Sequence, residues 1–194
     1  MTRKSVSLVV FSTLCLSVCL VAGPAFAADK EVGLTPKPGK PAYNPHTKSW
    51  FELRVDLPKP SNWQNAVKFS RRHTFKGVRG RLAVVKDLET HSFLRANFDV
   101  IGPTWIGLRY FCSFRKLVWA DGTEQPRTAF KMWAKKWYRT DVRCGKERIQ
   151  FMPVYYLPTR HGFKWQASGP AKYFVSYFVE YPTGAENPED GSKP

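Results

Sequence analysis

The order of helical and strand-like patterns constrains the fold of this chain more than any other feature of its sequence. The first half contains two helical patterns separated by short strand patterns, and the second half is a series of short segments rich in aromatic and β-branched residues. Helices that come early and strands that come late are typical of an α+β domain. No internal repeat is visible, and the length suits one domain with short tails.

The first strand and the first helix are predicted from periodicity and capping. Residues 50–55 alternate between two sets of side chains, with Phe51, Leu53 and Val55 on one side, which predicts a half-buried strand. Ser61, followed three residues later by a glutamine, has the spacing of a capping box. A first helix over residues 62–72 is therefore expected, with its apolar face towards the core.

The remaining elements follow from short apolar runs and one further cap. Residues 82–85 form an apolar strand pattern, and Asp87 is placed to cap a second helix. The strand patterns of the second half are then residues 105–110, 117–120, 152–156, 163–166 and 173–181.

Four short motifs appear in a fixed order among these elements. They are Trp63-Gln-Asn-Ala66, Gly80-Arg-Leu-Ala83, Trp105-Ile-Gly-Leu108 and Trp119-Ala-Asp-Gly122, with residues 175–182 as the closing strand. The series resembles the C-type lectin-like domain, in particular its exported bacterial type, and the resemblance spans about residues 50–182. The resemblance implies that the first strand pairs with the last, that two helices flank them, and that two small, mainly antiparallel sheets support a long irregular loop.

The large apolar residues within these motifs are expected to form the core rather than to contact a ligand. This expectation covers Trp105, Ile106, Leu108, Trp119 and Trp165. The chain departs from the family at its cysteines: those that tie the first helix to the last strand in animal members are absent. Any disulfide of this chain must therefore serve another part of the fold.

The N-terminus predicts export. Arg3 and Lys4 precede an apolar stretch and the small residues before position 28, which is the pattern of a secretory signal peptide, and Ser, Thr, Gly and Pro interrupt the stretch and argue against a transmembrane anchor. The predicted organisation is a signal peptide (1–27), a flexible arm rich in Pro and Lys (28–48), the lectin-like domain (49–182) and a disordered acidic tail (183–194). The expected location is periplasmic, or secreted and at the cell surface.

Charge and cysteine content bear on the partner and the compartment. The formal net charge is +16, and loss of Arg3 and Lys4 with the signal peptide leaves +14, which favours anionic partners. Cleavage also removes two cysteines and leaves Cys112 and Cys144, an even pair that predicts one disulfide in an oxidising compartment. The alternative is two free thiols with redox or metal chemistry.

Calcium-binding members of the family carry an E-P-N or Q-P-D triplet in the long loop and W-N-D in the following strand, because calcium needs several oxygen ligands. The strand motif is here Trp165-Gln-Ala167, and alanine offers no side-chain oxygen. Residues 124–126 read Glu-Gln-Pro, but they follow Asp121-Gly122 too closely to be the triplet, and Arg127 comes next. No calcium site, other metal site or cofactor is expected, and the four histidines show no metal-ligand spacing.

The same loop is strongly basic. Between residues 127 and 148 there are eight basic residues and two acidic ones, a local balance of +6, with aromatic residues interleaved. Cations beside aromatic faces suit sulfate, phosphate or carboxylate groups on a sugar-like body. The predicted ligand-binding residues are Lys131, Lys135, Lys136, Trp137, Tyr138, Arg139 and Arg143. The alternative is a solvated basic face with no ligand.

These observations predict an exported, calcium-independent binding module that recognises an anionic glycan, a lipopolysaccharide-like surface or a lipid headgroup. Peripheral membrane contact fits the charge, whereas no nucleic-acid-binding motif is present. The competing hypothesis is a structural or assembly protein of the cell envelope that docks a protein partner. A thiol enzyme that uses Cys112 or Cys144 with His161 is a third, and we expect no enzyme because no nucleophile and base are visibly assembled.

Overall fold

The computed structural model describes residues 39–55, 59–134, 144 and 150–184. All of them fall within one compact unit, residues 34–194. The predicted signal peptide and parts of the predicted arm and tail lie outside the described residues, so the domain boundaries stay predictions. No helix in the described part of the chain is long and apolar enough to cross a lipid bilayer.

The described residues form two helices and eleven strands, which confirms the α+β class. The helices are α1 (Trp63–Ser70) and α2 (Leu88–Asn97). The strands are β1 (Ala42–Asn44), β2 (Ser49–Val55), β3 (Thr74–Phe75), β4 (Val78–Arg79), β5 (Arg81–Leu82), β6 (Thr104–Phe111), β7 (Lys116–Trp119), β8 (Glu124–Gln125), β9 (Phe151–Thr159), β10 (Gly162–Ala167) and β11 (Ser176–Tyr181).

Strand β6 joins what the sequence predicted as two small sheets into one nine-stranded network. Its start pairs in parallel with β11, through Thr104 with Ser176. Both of its ends pair antiparallel with β9, with a register shift between Trp105 and Arg109, and its C-terminal half also pairs antiparallel with β7. The first predicted strand, β2, pairs antiparallel with β11, which agrees with the implied pairing of first and last strands. Strands β3 and β4 form a separate two-stranded ribbon.

Strand β2 is covered on both faces, which differs from the half-buried strand that its alternation predicted. Trp50 and Glu52 are buried together with Phe51 and Leu53. The second face is covered because Trp50 packs in a cluster with Trp63 of α1, and its ring centroid lies 5.0 Å from that of Phe75 in β3. Strand β1 pairs with the edge of β2. Strand β1 lies in the segment for which the sequence predicted a flexible arm.

The large apolar residues that the sequence analysis assigned to the core are buried in the structure. Trp105, Ile106, Leu108, Trp119 and Trp165 are all fully buried. Trp119 and Trp165 meet edge to face, with ring centroids 5.8 Å apart, on the side of the sheet that carries α2. Trp105 belongs to a second cluster that packs under α1. The prediction that these residues build the core is confirmed.

Of the two helix caps predicted from the sequence, one is confirmed and one is wrong. Asp87 caps α2 as predicted, and its side chain accepts a hydrogen bond of 2.7 Å from the Thr90 backbone N–H. The cap predicted at Ser61 is wrong, because Asn62 accepts the hydrogen bond from the Asn65 backbone N–H. Ser61 is instead bonded through its backbone to Phe174, a contact that no local pattern reveals.

The glycine of the Trp105-Ile-Gly-Leu108 motif lies where β6 passes close to the chain after β5. A Cβ atom on Gly107 would lie 2.7 Å from the Leu82 carbonyl oxygen and 2.8 Å from that of Ala83. Both atoms belong to the backbone, so a side-chain rotation cannot relieve the clash. The backbone N–H of Gly107 also donates to Ala83 across 2.8 Å, which holds the two segments together.

We therefore expect Gly107→Ala to lower the free energy of unfolding by about 1–3 kcal/mol, as overpacked core substitutions do. Urea denaturation followed by tryptophan fluorescence measures this change. Gly102→Ala is the matched control, because a Cβ there would meet no atom within 4 Å. Its effect should stay within about 0.5 kcal/mol. Equal stability of the two variants would show that the β5–β6 approach is adjustable.

Candidate functional site

A groove with a volume of about 640 Å³ opens beside the β6–β7 hairpin. One wall comes from the end of β6, the hairpin turn and β7, and the other from β8 and the segment that follows it. We call it the basic groove. Its lining residues are Tyr110, Phe114, Arg115, Lys116, Leu117, Glu124, Gln125, Arg127, Lys131 and Trp133.

The basic groove carries four cationic side chains and one carboxylate, a balance of +3. The carboxylate of Glu124 is already paired, because Lys116 Nζ donates to it across 2.8 Å. Arg115, Arg127 and Lys131 are exposed, and they have no ion pair within the described ranges. The groove therefore presents uncompensated positive charge, which attracts anions in a salt-dependent way.

Gln125 fixes the floor of the basic groove. Its side chain is buried and accepts a hydrogen bond of 2.7 Å from the Trp119 indole N–H. Its amide group donates to the carbonyl of Phe130 across 2.7 Å and to that of Lys86 across 3.3 Å. The segment after β8 is thereby anchored to the core, and the two walls keep their spacing without a ligand.

Trp133 forms the far wall, and strand β10 holds it in place. The backbone N–H of Trp165 donates to the Met132 carbonyl across 2.6 Å, and the backbone N–H of Ala134 donates to the Trp165 carbonyl across 2.9 Å. The rings of Trp133 and Trp165 meet edge to face at 5.4 Å. A half-buried indole held in this way offers a rigid apolar surface at low cost in conformational entropy.

The hairpin turn supplies the near wall. Phe114 is 71% exposed, which is unusual for a phenylalanine. Arg115 next to it has a positive φ of 53°, the left-handed conformation that the tight turn requires. The sequence pattern missed this wall. The sequence does contain an indication of it: residues 114–116 are an aromatic residue followed by Arg and Lys, and they lie between two strand patterns.

The disulfide between Cys112 and Cys144 lies beside this turn. The two Cα atoms are 5.4 Å apart, and the bond links the residue after β6 to the chain that follows Trp133. The predicted pairing is confirmed. Because both sulfurs are committed to the disulfide, the hypothesis of a thiol enzyme at these cysteines loses its nucleophile.

Of the predicted ligand-binding residues, Lys131 is described and lines the basic groove. The others, Lys135, Lys136, Trp137, Tyr138, Arg139 and Arg143, lie outside the described residues. Their role stays a prediction. The cationic residues that the structure adds are Arg115, Lys116 and Arg127, of which only Arg127 belongs to the basic run noticed in the sequence.

The strand that carries calcium ligands in the family corresponds to β10. Ala167 is buried there and Gln166 is half-buried, and their neighbour Trp165 is part of the core. The donor set of the described basic groove is cationic apart from one paired carboxylate, which does not fit calcium. A different group does meet in space: donor atoms of His46, Asp87 and Glu89 lie within 4.8 Å of one another at the start of α2. Sequence spacing did not reveal this group.

Comparison with known proteins identifies the fold. No protein-family model and no curated protein matches the chain. Among solved structures, human lithostathine is similar with a TM-score of 0.54 at 17% identity, over 76% of this chain and 90% of lithostathine. The complex of SPL-1 with GlcNAc gives 0.51 at 16%, over 70% and 88%. The C-type lectin domain of murine dendritic cell inhibitory receptor 2, in complex with an N-glycan, gives 0.50 at 14%, over 69% and 91%. These matches show that the chain has the C-type lectin-like fold.

Proposed function

We propose that this protein is an exported, calcium-independent glycan-binding module of the C-type lectin-like fold, and that its basic groove binds acidic glycans. The observation that carries the proposal is the unpaired positive charge of Arg115, Arg127 and Lys131 beside the aromatic surfaces of Phe114 and Trp133. Support for glycan as the ligand class comes from similar structures, since SPL-1 and the murine receptor domain are in complex with GlcNAc and an N-glycan.

The geometry of the basic groove suits an acidic sugar in two ways. An aromatic ring packs against the apolar face of a sugar, and Trp133 and Phe114 lie on opposite walls. The guanidinium groups of Arg115 and Arg127 can bind sulfate, phosphate or carboxylate through two parallel hydrogen bonds. A neutral sugar would use the rings alone, so selectivity for acidic glycans should arise from the cations.

Calcium plays no part in the proposed recognition. Family members that bind sugar through calcium need carboxylate and amide oxygens around the ion. Here Glu124 already accepts from Lys116, and Ala167 replaces a ligand position of the resemblance. Export is proposed on the signal-peptide pattern of residues 1–27 and on the disulfide, which is stable in oxidising compartments.

A glycan array tests the proposal. The purified protein is applied to neutral, sulfated, phosphorylated and uronic-acid glycans at physiological salt, with calcium or with a chelator. We expect selective binding to a subset of acidic glycans that is equal in both conditions. Loss of binding in chelator would contradict calcium independence. Salt-insensitive capture of one protein partner, with no glycan bound, would favour the envelope-assembly hypothesis, for which the exposed Phe114 is the natural contact.

We expect the double variant Arg127→Gln/Lys131→Gln to bind the best glycan of the array about tenfold more weakly, equal to about 1.4 kcal/mol. Its affinity should also depend less on salt, because two of the attracting charges are gone. Calorimetric titration at two salt concentrations measures both effects. The matched control is Arg79→Gln/Lys172→Gln, which removes two exposed charges that do not line the groove. Equal weakening in the two double variants would mean that net charge, and not the basic groove, binds the glycan.

A further inference from the structure

Arg109 lies in an unusual environment on the face of the sheet opposite the basic groove. It follows Leu108 in β6 and precedes Tyr110, which lines the basic groove, so neighbouring side chains point to opposite faces. The Cζ atom of Arg109 lies 4.7 Å from the ring centroid of Trp63, 4.7 Å from that of Phe111 and 5.5 Å from that of Phe151. Three aromatic rings therefore surround one guanidinium group.

This guanidinium group has no acidic partner. Within residues 39–55, 59–134, 144 and 150–184 it makes no ion pair and no hydrogen bond, and its Nε is buried without an acceptor. Arg54 and Arg81, the other partly buried arginines of the sheet, behave differently. Arg54 pairs with Glu52 at 2.8 Å, and Arg81 pairs with Glu180 at 2.9 Å. Burial without a partner distinguishes Arg109.

A second cation lies at the other end of the helix that begins with Trp63. Arg71 is exposed and caps the C-terminus of α1, the helix whose first residue, Trp63, stacks on Arg109. Burial and, secondarily, the positive charge of Arg71 lower the pKa of Arg109. Cations without a counterion repel each other, and a bound anion would offset this repulsion. The arrangement therefore lacks the negative partner that its charges favour.

We propose that Arg109 and Arg71 form an oxyanion-binding site, which takes a carboxylate, sulfate or phosphate group. The aromatic walls hold the plane of the Arg109 guanidinium, and a guanidinium held in a plane binds oxyanions through paired hydrogen bonds. Arg71 adds a long, adaptable second donor at the rim. The site is separate from the basic groove and does not depend on the glycan proposal, so either can fail alone.

The test follows the side-chain Nε–Hε resonance of Arg109 by NMR, on the intact protein, during titration with sodium sulfate, phosphate or acetate. Sodium chloride keeps the ionic strength constant. We expect a saturable shift with each oxyanion, and unchanged saturation in Arg127→Gln/Lys131→Gln, which alters only the groove. Arg71→Gln should raise the midpoint concentration about threefold, the loss typical of one exposed charge contact. A chemical shift that changes linearly with oxyanion concentration, or that changes equally when only sodium chloride is added, would overturn the proposal.

Two further variants separate a specific site from general charge. Arg109→Lys keeps the charge but loses the planar fork, and the sulfate-dependent shifts of the Phe111 and Phe151 backbone amides should disappear. Arg72→Gln is the matched control for Arg71, because Arg72 follows it directly and lies over Phe69 at 5.4 Å. An equal effect of Arg71→Gln and Arg72→Gln would overturn the assignment of Arg71. Titration with glucose 6-sulfate then distinguishes a site for free ions from a site for sulfated sugars. Tighter binding of glucose 6-sulfate than of inorganic sulfate would indicate a sulfated sugar.

Discussion

Replacing Glu180 with Gln is expected to lower the free energy of unfolding by about 3 kcal/mol or more. The Glu180 carboxylate is 3% exposed and accepts hydrogen bonds from both Nε and Nη2 of Arg81, at 3.1 and 2.9 Å. It also accepts from the Ser49 hydroxyl at 3.1 Å and from the Val84 N–H at 3.0 Å. Removing one partner of a buried ion pair is costly, because Arg81 then keeps only the more distant carboxylate of Asp121, whose Oδ2 lies 4.0 Å from Nη1.

The position of Glu180 explains why the effect should be large. It lies in β11, and its hydrogen bonds reach β2, β5 and the segment after β5, so one carboxylate connects four parts of the chain. Burial alone would lower the pKa of Arg81, but the hydrogen bonds with Glu180 and its negative charge raise it. A glutamine would turn an N–H towards the Arg81 donors and repel them.

Urea denaturation of the Glu180→Gln variant measures this loss. Glu124→Gln is the matched control, because Glu124 also pairs with one cation, Lys116 at 2.8 Å, but both side chains are about half exposed. An exposed pair contributes only about 0.2–1 kcal/mol. The buried variant should therefore lose several times more stability than the exposed one. Similar losses in the two variants would show that the Glu180 network is adequately replaced by neutral hydrogen bonds.

Acid should destabilise the protein through His91. This side chain is 1% exposed and packs among Phe130, Tyr156 and Phe163, with Nδ1 at 2.9 Å from the Tyr156 hydroxyl. Burial, with a smaller contribution from the charge of Arg95, lowers the pKa of His91 from 6.5 to about 4. Between these values the unfolded chain binds a proton that the folded protein does not bind, so stability falls as the pH falls.

The expected loss from this one residue is on the order of 3 kcal/mol between pH 6.5 and pH 4, and it is absent above pH 7. Thermal or urea unfolding across this range measures it. In His91→Gln the pH dependence in this window should largely vanish, whereas His161→Gln, at an exposed histidine, should leave it intact. A wild-type stability that is flat from pH 7 to pH 4 would show that His91 is protonated in the folded protein.

Several features were predictable from the sequence because they depend on neighbours in the chain. Asp87 and Thr90 are three residues apart, so the spacing alone predicted the cap of α2. The large side chains of Trp105, Trp119 and Trp165 predicted burial, because removing such surfaces from water is strongly favourable. The pairing of Cys112 with Cys144 followed from their number after the predicted cleavage.

Other features depend on contacts between remote segments, which no local pattern contains. Ser61 has the spacing of a capping residue, but its backbone pairs with Phe174 far along the chain. The alternation in β2 predicted one exposed face, but Trp63 of α1 and Phe75 of β3 pack against Trp50 on that face. The walls of the basic groove come from residues 110–117 and 124–133, so a charge count over a single loop found only part of it.

The sequence by itself determined the α+β class, the order of the motifs, the core aromatics and the disulfide, because each of these depends on residue type and local spacing. The tertiary structure alone decided which cations remain unpaired. Arg81, Arg109 and Arg127 are equivalent in a count of charges, but Glu180 neutralises the first, aromatic rings surround the second, and the third faces an open groove. The reason is physical: the strength of a charge contact depends on distance and burial, and both are set only when remote strands pair.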